Sequence, residues 1–217
     1  MISTKRQTGL TLIEMMIAMV LGLFVTAVII TVFSTNVRSS TENIKMIRLN
    51  QELRGVMTMM VDEIKRHGYS ADSTDNTYMN ELSYDSASKC LNYSYDSDIT
   101  DGAFDSSKDL FAFQLDSNVV YWKTNVNADC STSSSSSPLT ETNIANITTL
   151  DFDFSGSANI NGTTGLDTLS TTTDTSVYEV TITLTGTTDL PPNGADTNDP
   201  RRTVTETIRI RNEDPKD

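Results

Sequence analysis

Histidine is almost missing from this chain: one residue, His67, in 217. Nucleophilic catalysis needs a base within hydrogen-bond reach of the attacking group, and no spacing around His67 supplies such a pair. Its place at the end of a helical stretch fits a simpler role, a cation near the negative end of the helix dipole. Calcium-loop spacing is missing too. Two acidic clusters, Asp96, Asp98, Asp101 and Asp196, Asn198, Asp199, lack the EF-hand pattern and read as solvated loop. No metal, cofactor or catalytic group is expected. Basic residues are scarce in 69–217, where 24 acidic side chains stand against 8 basic ones. Such a surface gains nothing from releasing counterions at phosphates, so it is a poor candidate for a general DNA receptor, and no nucleic acid is expected by direct charge attraction. Solubility accounts for the charge.

Charge is nearly absent from Leu10 to Phe33, where Glu14 is the only charged residue. About 24 apolar residues suffice to cross a bilayer as a helix. A cleaved secretory signal has a shorter apolar region and a small-residue cleavage site; the following "FSTNVRSS" has none, and no Cys for lipidation follows the leader. Lys5 and Arg6 precede the run and place the N-terminus in the cytoplasm, with the acidic remainder outside. A carboxylate in a membrane segment is costly and marks a functional candidate. Thr11 and Glu14 also read as a T-x-x-E capping box, which leaves the preceding Gly9 unexplained.

Taken together, "KRQTGLTLIE" resembles the class III signal of type IV prepilins and pseudopilins: a short basic leader ending in Gly, an apolar stretch, and Glu at the fifth mature residue. The family usually has Phe after the cut, and this chain has Leu10. The resemblance implies a leader Met1–Gly9, cleavage between Gly9 and Leu10 by a prepilin peptidase, and N-methylation of Leu10. Cutting creates a cation at the positive end of a helix dipole. Glu14 can offset it, in its own chain or in a neighbour, and pairing between subunits would select the axial stagger. The resemblance thus makes Glu14 a subunit-assembly group.

The helical pattern continues past the membrane. Val37, Ile44, Ile47, Leu53, Val56, Met57, Met60, Val61 and Ile64 recur at helical spacings and read as one buried stripe. No Pro interrupts 10–68, and Lys65, Arg66, His67 and Gly68 look like a helix C-terminus. The expectation is one helix over 10–68, transmembrane over 10–33 and amphipathic over 34–68, roughly 85 Å long. Ala18 and Gly22 form a small-x-x-x-small pair, which is either a close-approach face or the ordinary composition of a membrane helix. Met57–Met60 reads as adaptable core packing.

From 69 to 217 the period changes to two. "LFAFQLD" and "NVVYWKTN" read as a hairpin over 110–125, and "ITTLDFDF", "VYEVTITLTG" and "TVTETIRIRN" alternate apolar and polar residues. These are half-buried antiparallel strands. "STSSSSSPLT" and "LPPNGADTNDP" read as loops. Cys90 and Cys130 lie in the exported part, where a disulfide is expected and two free thiols are the alternative. Closing a loop of about 40 residues contributes about 4 kcal/mol in the chain-entropy model.

The fold class expected is α+β, a long N-terminal helix packed on an antiparallel head over 69–217. The ending "RRTVTETIRIRN" and the helix exit "IKRHGY" resemble PilW-like minor pilins and GspJ-like minor pseudopilins. The resemblance implies a minor type IV pilin, a structural subunit that helps prime or cap pilus assembly and is not an enzyme. A minor pseudopilin of a type II secretion system shares the architecture, and a membrane-anchored adhesin or ligand-binding head is the reading from another class. The partners implied are other minor and major pilins, the prepilin peptidase and the inner membrane, with the pilus or cell surface as the final location.

Overall fold

Leu12–Ile64 form one helix, α1, which the absence of proline permits. The computed structural model describes residues 9, 11–71, 77–98, 103–126, 130–159, 176–188 and 200–210. The chain divides into two units, Met1–Ile44 and Lys45–Asp217. In the first, every large apolar side chain from Leu12 to Phe33 is exposed. An 18-residue window of α1 has a mean hydropathy of 2.7, enough by length and composition to cross a membrane. The hydroxyls of Thr26 and Thr31 donate to the carbonyls of Gly22 and Ala27 at 2.8 and 2.9 Å. These back-bonds satisfy both hydroxyls within the helix, as an apolar surrounding would require.

In the second unit, α1 buries Leu49, Leu53, Val56, Met57, Met60, Val61 and Ile64. The expected single stripe is therefore corrected. Val37, Ile44 and Ile47 are about half exposed, whereas Leu49, which the stripe omitted, is fully buried. Helix phase explains this: at about 100° per residue, the six-residue step from Ile47 to Leu53 turns the helix by roughly 240°. The three upstream residues fall on the opposite face from the buried set.

The helix also stops before Gly68. Lys65 N still donates to Val61 O at 3.1 Å, but Arg66 and His67 bond three residues back, to Glu63 and Ile64 carbonyls at 3.0 Å. Gly68 then takes φ 77°, the left-handed conformation that glycine adopts without steric cost.

Two antiparallel sheets follow. The first is a meander of β1 (Ser83–Asp85), β2 (Cys90–Ser94), β3 (Leu110–Asp116), β4 (Val119–Val126) and β5 (Ser133–Pro138), preceded by the single-turn helix α2 (Thr77–Asn80). The expected hairpin is β3–β4, closed by Ser117 and Asn118 at φ 49° and 66°, the two-residue turn whose twist matches that of paired strands. The serine-rich run, expected to be a loop, is instead edge strand β5, paired with β4 from Tyr121↔Pro138 to Val126↔Ser133. Serine hydroxyls need no core, and the backbone satisfies itself on the open edge of β4.

The second sheet is built around β8 (Ser176–Thr187). β6 (Asn146–Asp153), the short β7 (Ala158–Asn159) and β9 (Arg201–Ile210) all pair with it. The alternation expected from the sequence holds: Leu150, Phe152 and Phe154 are buried while Asp151 and Asp153 are exposed, and Val180, Ile182, Leu184, Ile208 and Ile210 point inward. One core joins α1 to both sheets, including Leu91, Tyr93, Phe111 and Phe113 of the first and Leu150, Ile182 and Leu184 of the second. A Cβ added at Gly186 of β8 would stand 3.1 Å from Leu49 Cδ1 and 3.2 Å from Leu53 Cδ2 and Ile147 Cδ1. Only glycine lets the helix settle this close to the strand.

Candidate functional site

At the start of the described chain, Thr11 and Glu14 close on each other. Glu14 Oε2 accepts from both Thr11 N and Thr11 Oγ1 at 3.0 Å, and Glu14 N donates to Thr11 Oγ1 at 3.3 Å. That is the reciprocal capping box anticipated from T-x-x-E, in which two orphan donors of the helix start are satisfied at once. It also folds the carboxylate back onto the first described residue of the helix start, Thr11. Leu10 and residues 1–8 lie outside the described residues. Gly9 is exposed, and a Cβ built on it meets nothing within 4 Å. Nothing in the fold around it therefore calls for glycine there. Gly22 has the same open surroundings, and both Ala18 and Gly22 are exposed among the described residues.

The two cysteines are brought together. Cys90 opens β2 and Cys130 follows β4, with Cα atoms 6.4 Å apart and the sulfurs bonded. Between these strands runs β3, so the bridge passes over Ala112. Cys90, Ala112, Val126 and Cys130 form a small second core on the far face of the meander. Cys130 is held at φ 58°, a left-handed conformation uncommon for a residue with a side chain.

His67, expected simply to complement the helix dipole, is packed inside the head. It is fully buried, its Nδ1 lies 3.1 Å from the Ser94 carbonyl oxygen, and its ring meets Tyr178 edge-on at 6.1 Å. Gly68 N donates to the same Ser94 oxygen at 2.9 Å, and Asp96 N donates to Tyr69 O at 2.9 Å. The "HGY" exit is thus a clasp that fastens the end of α1 to the end of β2.

Above the clasp, Glu63 Oε2 accepts from Tyr95 OH at 3.1 Å and Glu63 pairs with Arg66 at 3.3 Å. Trp122 Nε1 donates to Tyr93 OH at 2.9 Å, and Tyr93, Tyr95, Phe111 and Trp122 stack. Burial and the Glu63 charge push the Tyr95 phenol up to about 12. Burial, with the same charge behind it, raises Tyr93 well above its ordinary range. Both phenols therefore stay neutral donors. Buried Asp109 accepts from Tyr78 OH, Ser97 N, Ser97 Oγ and Asp105 N. These networks tie Tyr95, Ser97, Asp105 and Asp109 to the core. Sequence reasoning missed them, because the contacts that join the elements, Glu63–Tyr95, Tyr93–Trp122 and Tyr78–Asp109, link residues about 30 positions apart and no local pattern announces them.

The acidic clusters do not form a cation site among the described residues. Asp96 spends its oxygens on the backbone of Ala71 and Asp98. Asp101 and the Asp196, Asn198, Asp199 cluster, with all of "LPPNGADTNDP" but Pro200, lie outside the described residues.

Comparison with known families gives two matches. Residues 42–210 match the family model described as prepilin peptidase-dependent protein B. Residues 4–30 match the prokaryotic N-terminal methylation motif. No curated protein and no solved structure matches the chain.

Proposed function

This chain belongs to the prepilin peptidase-dependent protein B family, and from that premise we propose that it is a minor type IV pilin of the PilW type. In this reading it is a structural subunit that helps prime or cap a pilus. The peptidase cuts between Gly9 and Leu10, and the amine of Leu10 is methylated. The apolar part of α1 holds the precursor in the inner membrane with its acidic head in the periplasm, and the head reaches the cell surface in the assembled pilus. Major pilins and other minor pilins are its partners.

The observation that carries the reading is the methylation motif over residues 4–30 in front of the family match over 42–210. The open surroundings of Gly9 support it, because a glycine that the fold does not need is explained by an outside agent that grips the backbone. Glu14 then has two tasks in sequence. Before assembly it caps its own helix through Thr11; afterwards it offsets the cation at Leu10, its own or a neighbour's, where water is scarce. Mass spectrometry of the native protein tests the core of this: a chain lacking nine residues and carrying one methyl group is expected. An intact Met1–Gly9 leader in assembled material would overturn it. A minor pseudopilin of a type II secretion system would use the same residues, and the neighbouring genes, pilin or secretion, separate the two.

A further inference from the structure

Two grooves lie side by side along β9, and together they follow its edge. The first, of about 450 Å³, is lined by every residue from Arg202 to Glu206 and by Asn50, Arg54 and Met57 of α1. The second, of about 460 Å³, is lined by every residue from Glu206 to Arg209 and by Lys65. A depression on one face of a sheet touches alternate residues of a strand, because side chains alternate between faces. Contact with consecutive residues from 202 to 209 therefore places these grooves on the edge of β9, where the backbone itself is reached. Among the described residues β9 pairs only with β8, so its other edge offers main-chain donors and acceptors over ten residues.

The charge of the groove is the reverse of its surroundings. The 69–217 segment holds eight basic residues against 24 acidic, yet Arg201, Arg202 and Arg209 all stand on β9. Arg54 approaches from α1 and Lys65 from the turn that follows it. Arg209 is paired with Glu179 at 2.8 Å. Arg54, Arg202 and Lys65 are exposed and form no ion pair among the described residues, and Glu206 is the one carboxylate lining either groove. Charged residues on an edge strand often serve only to prevent pairing. That role needs no cations from outside the strand, and here α1 supplies Arg54 and the turn after it Lys65.

We propose that the groove between α1 and β9 is a docking site for an extended acidic segment of another protein, added as a strand to the free edge of β9. Main-chain bonds supply the affinity, and alternate carboxylates meeting Arg54, Arg202 and Lys65 supply the selection. This holds whether or not the chain works in a pilus.

The test uses the full-length protein in detergent micelles and a fluorescently labelled ten-residue peptide of alternating Thr and Asp, followed by anisotropy. Saturable binding is expected, with none for the Thr–Lys counterpart. The same acidic peptide with every amide N-methylated keeps its charge but loses its main-chain donors, and should bind at least tenfold more weakly. The double variant Arg54→Glu/Arg202→Glu should lose at least tenfold as well, with an unchanged unfolding midpoint because both side chains are exposed. Should the reversal unfold the protein, Arg54→Gln/Arg202→Gln should still weaken binding several-fold. No binding of the acidic peptide, equal binding of the N-methylated peptide, or equal binding by the folded variants would overturn the proposal and leave the β9 arginines as edge protection.

Discussion

The seat of α1 on the second sheet is tested most directly by adding one methyl group at Gly186. Its Cβ would stand 3.1–3.2 Å from three terminal methyls, on Leu49, Leu53 and Ile147, all on fully buried residues. Carbon atoms in favourable contact sit about 3.5–4.0 Å apart, so all three must retreat by a few tenths of an ångström inside a filled core. Overpacking of this kind costs about 1–3 kcal/mol. Restricting the unfolded backbone by replacing glycine with alanine returns about 0.4–1 kcal/mol. Gly186→Ala should therefore destabilise by about 1–2 kcal/mol, or about 2–8 °C in a chain of this length. Gly55→Ala is the matched control. It is exposed in the interior of α1 and its Cβ would meet nothing within 4 Å, so helix propensity alone should stabilise by about 0.8–1.0 kcal/mol. Thermal unfolding of the full-length protein in detergent, followed by the fluorescence of Trp122, the sole tryptophan, reads both. Adding Leu49→Ala to Gly186→Ala should cost less than the sum of the two changes, since one methyl relieves the other. Equal or higher stability of Gly186→Ala, or strict additivity with Leu49→Ala, would refute this packing of helix on strand.

Gly9→Val should leave the precursor uncut in the membrane, because the fold has room for the side chain and only the peptidase excludes it; mature-length protein from this variant would contradict that. Thr11→Val and Glu14→Leu both break the capping box, so equal recovery with partner subunits in pulldowns would reduce Glu14 to a cap. The assembly role instead predicts that Glu14→Leu is cut normally yet fails to co-isolate, that Glu14→Asp recovers partly, and that Thr11→Val assembles. Non-reducing peptide mapping should recover Cys90 and Cys130 in one linked fragment. Removing the bond should lower stability by about 2–5 kcal/mol; two alkylatable thiols in the native protein would contradict the pairing. Burial raises the pKa of Glu52 against the hydrogen bond it accepts from Glu141 N and with the repulsion of the Glu141 carboxylate. A carboxyl raised on folding contributes most below its unfolded pKa and loses that contribution as pH rises through the folded one. The stability of wild type relative to Glu52→Gln should therefore fall between pH 4 and pH 7, and a rise over that interval would reverse the sign argued here.

The parts of the fold legible in the sequence are those with one wet face. β6 and the residue after it show Leu150, Phe152 and Phe154 against Asp151 and Asp153 because solvent touches only alternate residues. β2 did not show itself for the opposite reason. All five residues from Cys90 to Ser94 are buried, with the core on one side and the cysteine bridge on the other, so no alternation survives. β5 was hidden by composition, since an edge strand of serines looks like a linker until β4 is there to pair it. At the candidate site, Thr11 and Glu14 were legible because a capping box is local, three residues apart. The Glu63–Tyr95 and Asp109–Tyr78 bonds join residues 32 and 31 positions apart, distances that only the fold closes.

The misread stripe on α1 is informative for function. A helix with one apolar face needs one partner, and here Leu49 to Ile64 find theirs in the chain's own core. Val37, Ile44 and Ile47 keep helical spacing among themselves but lie on the opposite face, about half exposed. Beside them Arg38 and Glu42 form an i,i+4 ion pair at 3.7 Å with both side chains open to solvent, a contact of little energetic weight. A chain that stood alone would gain nothing from three large apolar side chains on its wet face. A chain that is covered a second time, by neighbouring helices in a filament, would. If the chain is a pilin, as we propose, the six-residue step between Ile47 and Leu53 would let one helix bury Leu49 to Ile64 in its own core and leave Val37, Ile44 and Ile47 for neighbouring subunits to cover.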